Sequence, residues 1–157
     1  MTDVEAYFNN TQRLKKVYGN KIKLLCGIEF GYDKAAEPQY LEILNKYNFD
    51  YVISSVHEVD GLDCYFQPFF EGKTKRQAYE YYLKKVLESI GSGYDFQIAG
   101  HIGYVTRNAP YPDSSLNYAE FKDITDDILK CIIERQKTLE VNTHTGSKNT
   151  VYLPAYD

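Results

Sequence analysis

The chain has 157 residues, 43% hydrophobic and 25% charged, with a formal net charge of −4. That length suits one domain and that composition an ordinary globular one. No apolar run approaches the roughly 18 residues of a membrane span, and no basic cluster offers a nucleic-acid backbone the cations it needs. Residues Met1–Asn10 are mixed polar and acidic, unlike a secretory signal. Acidic charge repels a phosphate ester too, so a phosphate-processing site here needs metal or arginine to offset it. Cys26, Cys64 and Cys131 are odd in number, far apart and free of any CxxC pattern, which places the chain in a reducing compartment, the cytoplasm. Cys26 and Cys131 lie in apolar segments and read as small core residues. Sixteen tyrosines, eight phenylalanines and no tryptophan suit an enclosed polar cleft, because tyrosine pairs an apolar body with a polar tip.

In chain order, Val4, Phe8, Thr11, Leu14 and Tyr18 recur at helical spacing, and Gly19-Asn20 ends that helix. Residues Ile22–Ile28 form a nearly continuous apolar run, expected to be a buried strand. Pro38 fits the first turn of a second helix whose inner face is Tyr40, Ile43, Leu44 and Tyr47. Phe49–Val56, rich in aromatic and β-branched residues, predicts the second strand. Thr74-Lys75-Arg76-Gln77 is a capping-box pattern. It opens a helix through Tyr81, Tyr82, Val86, Leu87 and Ile90, closed by Gly91 and Gly93. Phe96–Ile102 predicts a third strand. Asn117 can cap a fourth helix, with Glu120 three residues on and Phe121, Ile124, Ile128 and Ile132 facing inward. Thr138–Asn142 predicts the last strand. No repeat, low-complexity tract or linker points to a second domain.

Strands alternating with helices imply βαβ units, hence an α/β fold with about four parallel strands. In such folds chemistry collects beyond the carboxyl ends of the strands. Those ends read Gly27-Ile28-Glu29, Ser54-Ser55-Val56-His57, Ala99-Gly100-His101 and Val141-Asn142-Thr143-His144. The chain has only three histidines, and each stands at such an end. Glu29, His57 and His101 come from three consecutive strands and can converge on one point. Two imidazoles and one carboxylate form a known ligand set for catalytic zinc or non-haem iron with open coordination positions. The alternative for any one histidine is a hydrogen-bonded loop residue.

The segments "KIKLLCGIEFGY", "FDYVISSVHEVDGLD", "FFEGKTKRQAYEYYLKKVLESI", "AGHIGYVTRNAPY" and "LEVNTHTG" resemble, in order and spacing, the central half of histidinol-phosphatases of the polymerase-and-histidinol-phosphatase (PHP) superfamily. The GIE, SVH and GH elements are short, and their ordered combination carries the resemblance, over about Asp3 to Asp157. It implies a partial (β/α) barrel of the PHP type, since such enzymes are distorted (β/α)7 barrels with a metal cluster at the strand ends. It also implies a hydrolase of histidine biosynthesis that releases phosphate from histidinol phosphate. Glu29 then matches the family's bridging glutamate, and His57 and His101 match the histidines of the SVH and GH elements. Arg107 matches an arginine that contacts substrate phosphate, a role its forked donors suit; the alternative is a solvated loop charge. The cofactor is a divalent metal, zinc, iron or manganese.

The resemblance has gaps. The family's opening HxH motif and closing DxH motif are not in the chain, so residues 1–157 read as a single PHP-like domain truncated at both ends, with about one metal's worth of ligands. Gly103 stands where these enzymes commonly carry Asp, which removes a carboxylate that could orient His101. His144 is a possible extra ligand or a loop side chain. Four strands cannot close a barrel, so self-association or a complementing chain is expected. Three functions remain open: a metal-dependent phosphomonoesterase, weak or inactive as an isolated chain; a non-catalytic metal-binding or interaction remnant; and a PHP phosphoesterase or proofreading-type nuclease acting on another substrate. The missing basic stripe disfavours the nuclease.

Overall fold

The computed structural model describes residues 3–142. Helix α1 (Val4–Tyr18) starts at Asp3, whose side chain accepts from the Ala6 N–H, and ends at Gly19. Strand β1 (Gly27–Gly31) leads through a 3-10 turn into α2 (Glu37–Lys46), which carries Pro38 in its first turn. Strand β2 (Tyr51–Ser55) precedes a hairpin, β3 (Glu58–Val59) and β4 (Leu62–Asp63), and a short helix α3 (Gln67–Phe70). Helix α4 (Lys75–Ile90) opens on the anticipated capping box, with Thr74 and Gln77 each satisfying the other's backbone N–H. Strand β5 (Ile98–Ala99), helix α5 (Lys122–Glu134) and strand β6 (Thr138–Leu139) complete the order.

The main sheet runs β1-β2-β5-β6, all parallel, so the expected α/β architecture is the one observed. Its core lies between the sheet and α4, whose Tyr79, Tyr82, Leu83, Val86 and Ile90 are buried with Phe96, Ile128 and Val56. Asp60 and Gly61, both at positive φ, make the two-residue turn of the β3–β4 hairpin, as a type I′ turn requires.

Several boundaries differ from the sequence reading. The first strand occupies Gly27–Gly31 rather than Ile22–Ile28. Ile22 and Leu25 stay exposed, and pairing with β2 begins only at Gly27 opposite Tyr51. An apolar run becomes a strand only where a neighbour takes its backbone hydrogen bonds. Strand β5 is shorter than Phe96–Ile102 because the Gln97 side chain takes the Val52 N–H at 2.8 Å, and the chain turns after Gly100, with the Tyr104 N–H bonded to His101 O. Asn117 caps a 3-10 turn (Tyr118–Glu120), and the helix itself starts at Lys122. On α4, Tyr81 faces solvent, and the buried stripe runs instead through Tyr79, Tyr82 and Leu83. Cys26 is fully buried as read, Cys131 is only half-buried against the core, and Cys64 is buried as well.

Candidate metal centre

Glu29 sits in the middle of β1, opposite Ile53 of β2, not beyond the strand's carboxyl end. Its longer side chain makes up the distance. His57 lies two residues past β2, and His101 two residues past β5. Gly100 lets the His101 backbone come close to β2: a Cβ there would meet Ile53 Cγ2 at 2.9 Å and Ser55 Cβ at 3.1 Å. The glycine of the Gly100-His101 pair is therefore a spatial requirement of the chain passing close beside β2 just after β5, where the Gly100 N–H donates to Ser54 O at 2.8 Å.

The three side chains converge. His57 Nε2 and His101 Nε2 are 2.9 Å apart, and Glu29 Oε1 stands 3.4 Å from the first and 3.8 Å from the second. Three atoms so spaced lie on a circle of radius about 2.0 Å, which matches the roughly 2.0–2.2 Å reach of zinc to imidazole nitrogen and carboxylate oxygen. The donor set therefore fits one small divalent cation.

Each ligand has its own support. Glu29 Oε1 accepts from the buried Ser55 hydroxyl at 2.6 Å. The Tyr104 ring meets His57 edge-on at 4.7 Å and lies 5.9 Å from the His101 ring, while its hydroxyl donates to Asp63 at 3.3 Å. Burial and Asp63 push the Tyr104 phenol up to about 12, so it stays neutral. Burial and the neighbouring His101 lower the His57 pKa, favouring the neutral ring that a metal needs as a ligand. His101 is the most enclosed of the three. Its Nδ1 and its backbone N–H both meet one oxygen of Glu140, each at 2.9 Å. The absence of a carboxylate at Gly103 therefore does not leave His101 without one, because Glu140, the residue after β6, supplies it.

Residues 1–144 match the family model described as PHP domain. The chain belongs to the PHP domain family. It is similar to a probable histidinol-phosphatase from Clostridium acetobutylicum, 33% identical over 149 residues, 95% of this chain and 56% of that protein. A histidinol-phosphatase from Lactococcus lactis is 33% identical over 90% of this chain and 53% of its own length. Among solved structures, histidinol phosphate phosphatase from Lactococcus lactis, complexed with zinc, L-histidinol and phosphate, superposes with a TM-score of 0.85 and 32% identity, covering 91% of this chain and 55% of that one. The chain thus spans about half the length of the relatives it matches.

Two further features of this PHP domain flank the ligand cluster. Arg107 is exposed, with its guanidinium 5.2 Å from the centre of the Tyr104 ring that touches His57. Among the described residues no ion pair occupies it. His57 also lines a cleft of about 400 Å³ walled in part by Tyr32, Tyr40, Glu58, Asp60 and Lys85. Lys85 is paired with Glu88 at 3.0 Å. His144, the possible extra ligand, lies outside the described residues.

Sequence reasoning passed over Ser55, Tyr104 and Glu140 as parts of the site. Ser55 stands two residues before His57, where β-strand alternation puts it on the same face. Asp60-Gly61 was a legible hairpin signal. Glu140 is 39 residues from its partner, and nothing local marks the contact.

Proposed function

We propose that this PHP domain is a metal-dependent phosphomonoesterase acting on histidinol phosphate, with Glu29, His57 and His101 as ligands of a divalent cation. The observation that carries the reading is the convergence of two imidazole Nε2 atoms and one carboxylate oxygen within 2.9–3.8 Å, at the carboxyl side of a parallel sheet. When bound, a zinc, iron(II) or manganese ion would supply Lewis-acid polarisation of a phosphoryl oxygen and acidification of water. The chain's own groups do the positioning. The Ser55 hydroxyl fixes the Glu29 carboxylate, and the Tyr104 ring walls His57. The Arg107 guanidinium offers paired donors to a phosphate. The tyrosine- and acid-lined cleft suits an organic group that carries positive charge, as an amino alcohol does.

We propose slow turnover by the isolated chain: among the described residues one cation's worth of ligands converges, and each further pre-organised contact to a phosphoryl group is worth on the order of 3 kcal/mol. We read residues 1–157 as one domain, supported by the single main sheet and single core among the described residues. Three free cysteines support a reducing, cytoplasmic setting. No helix of the described residues is long and apolar enough to cross a membrane. The exposed Val17, Tyr18, Ile22 and Leu25 beside edge strand β1, and Ile133 and Val141 near edge strand β6, support self-association or docking of a complementing chain. Light scattering on the purified chain tests this, and a monodisperse monomer contradicts it.

The functional test is titration of L-histidinol phosphate into protein loaded in turn with zinc, iron(II) and manganese, with phosphate release followed in parallel. Metal-dependent binding with slow release, both lost in His57→Ala, supports the phosphatase. Binding without any release marks a non-catalytic metal-binding module. Neither binding nor release with any of the three metals overturns the proposal.

A further inference from the structure

We infer that Glu140 is the positioning residue of the metal centre, holding His101 in the one tautomer and orientation that can ligate. The inference deepens the metal reading above and rests on it. A carboxylate can only accept, so the 2.9 Å contact between His101 Nδ1 and Glu140 Oε2 requires the proton on Nδ1. The lone pair of a neutral ring then lies on Nε2, the atom that faces His57 Nε2 and Glu29 Oε1.

The same Glu140 oxygen accepts the His101 backbone N–H at 2.9 Å, so main chain and ring are held by one atom, and rotation of the ring about its two side-chain bonds breaks the contact. Glu140 is itself anchored. Its N–H donates to Ala99 O at 2.9 Å, extending the β5–β6 ladder by one residue, and its other oxygen faces Asn142 Nδ2 at 3.4 Å. The carboxylate thus takes a backbone N–H of the adjacent strand's extension and turns the end of the β6 ladder into a ligand clamp. A carboxylate behind a ligating imidazole also raises the ring's basicity, and losing such a partner typically costs about 10–100-fold in metal affinity.

The test separates this claim from the metal reading. In metal-free protein, long-range ¹H–¹⁵N correlation spectra distinguish the two imidazole tautomers, and with three histidines in the chain assignment by His→Gln variants is direct. The expected result is a His101 proton on Nδ1 in the wild type and a shift toward the Nε2–H form in Glu140→Leu. Glu140→Gln retains an acceptor oxygen and keeps more of the Nδ1–H form. Zinc affinity by competition with a chromophoric chelator should fall about 10–100-fold in Glu140→Leu and less in Glu140→Gln, while metal-free Tm changes little in Glu140→Gln. A wild-type His101 carrying its proton on Nε2 overturns the inference whether or not zinc binds. Equal zinc affinity of wild type and both variants also overturns it. A wild type that fails to bind zinc, yet shows Nδ1–H on His101, overturns the metal reading and with it the role of Glu140 at a metal centre, while the tautomer assignment of His101 stands.

Discussion

The centre of the sheet is packed far more tightly than its β1 edge, and the candidate metal site straddles the two. Under β2 and β5 lies α4, with seven buried residues including the fully enclosed Tyr79 and Tyr82. At the β1 edge, α1 buries only Thr11 and α2 buries no residue fully. Half-buried packing, with Phe8 against Tyr47 and Phe49 and Tyr40 stacked on Phe30, is joined there by polar ties: the Tyr7 hydroxyl donates to Gly27 O at 2.7 Å, Lys46 pairs with Glu5, and Asp50 accepts from both the Cys26 N–H and Lys15 at 2.5 Å. Apolar packing fixes position from many directions at once, whereas exposed polar ties are few and screened. The candidate ligands inherit this contrast. The His101 side chain is 8% exposed and clamped by Glu140, while that of Glu29 is 41% exposed and held by one hydroxyl. The site therefore has a rigid wall and an open wall, and the open one is the side from which a ligand can enter.

The contrast breaks most visibly at the rigid wall. His101→Ala should reduce zinc affinity by more than about 100-fold, beyond the cost of losing an outer-shell partner, whereas Glu29→Gln should cost less because its position is already loose. Competition titration of both variants checks the order, and equal losses would erase the distinction between the walls. Next in size is the packing beneath. Tyr82 is fully buried, and its hydroxyl donates to Val56 O at 3.2 Å, one residue before His57. Tyr82→Ala should destabilise the fold by about 3–5 kcal/mol, read as a lowered urea midpoint. Gly100→Ala, which drives a methyl group into Ile53 and Ser55, should cost about 1–3 kcal/mol and weaken zinc binding at the same time.

The edge should show the smallest effect, and a pH-dependent one. The Cys26 N–H and then Lys15 hold the Asp50 carboxyl below its usual range. A group whose pKa is lowered on folding stabilises the protein above its unfolded value, about 3.9 for Asp, and that contribution disappears as pH falls through the lower folded value. Asp50→Asn should therefore cost less than about 1 kcal/mol at pH 7, and its stability should converge with the wild type as pH falls through the lowered folded value. A gap that widens in acid would contradict the polar-tie account. Cysteine chemistry offers a parallel check on the centre: Cys64 is fully buried, and burial with nearby acids pushes its thiol up to about 12. It should stay unmodified by iodoacetamide at pH 8 in the native state, while half-buried Cys131 reacts first.

Much of the fold was legible in the sequence because hydrophobic periodicity and caps are local. Thr74-Lys75-Arg76-Gln77, Pro38 and the Phe49–Val56 run led directly to α4, α2 and β2. The convergence of Glu29, His57 and His101 was legible because neighbouring parallel strands run in step, although Glu29 reaches the point from the middle of β1 and the two histidines from just past β2 and β5. Strand lengths were not, since they depend on which neighbour takes each backbone group: Gln97 and Glu140 both end ladders by spending a side chain on a backbone N–H. Glu140 as a clamp was hidden for the same reason. In "LEVN" it reads as one more alternating strand residue, and only the pairing of β5 with β6 brings it beside Gly100, from where its carboxylate takes the His101 N–H and Nδ1.

The most direct measurement of the central claim is a crystal of the zinc-soaked protein with anomalous scattering collected across the zinc edge. The account predicts one strong peak within about 2.0–2.2 Å of His57 Nε2, His101 Nε2 and Glu29 Oε1, lost in a His57→Ala, His101→Ala double variant. A peak elsewhere on the molecule, with these three side chains turned away from one another, would contradict it.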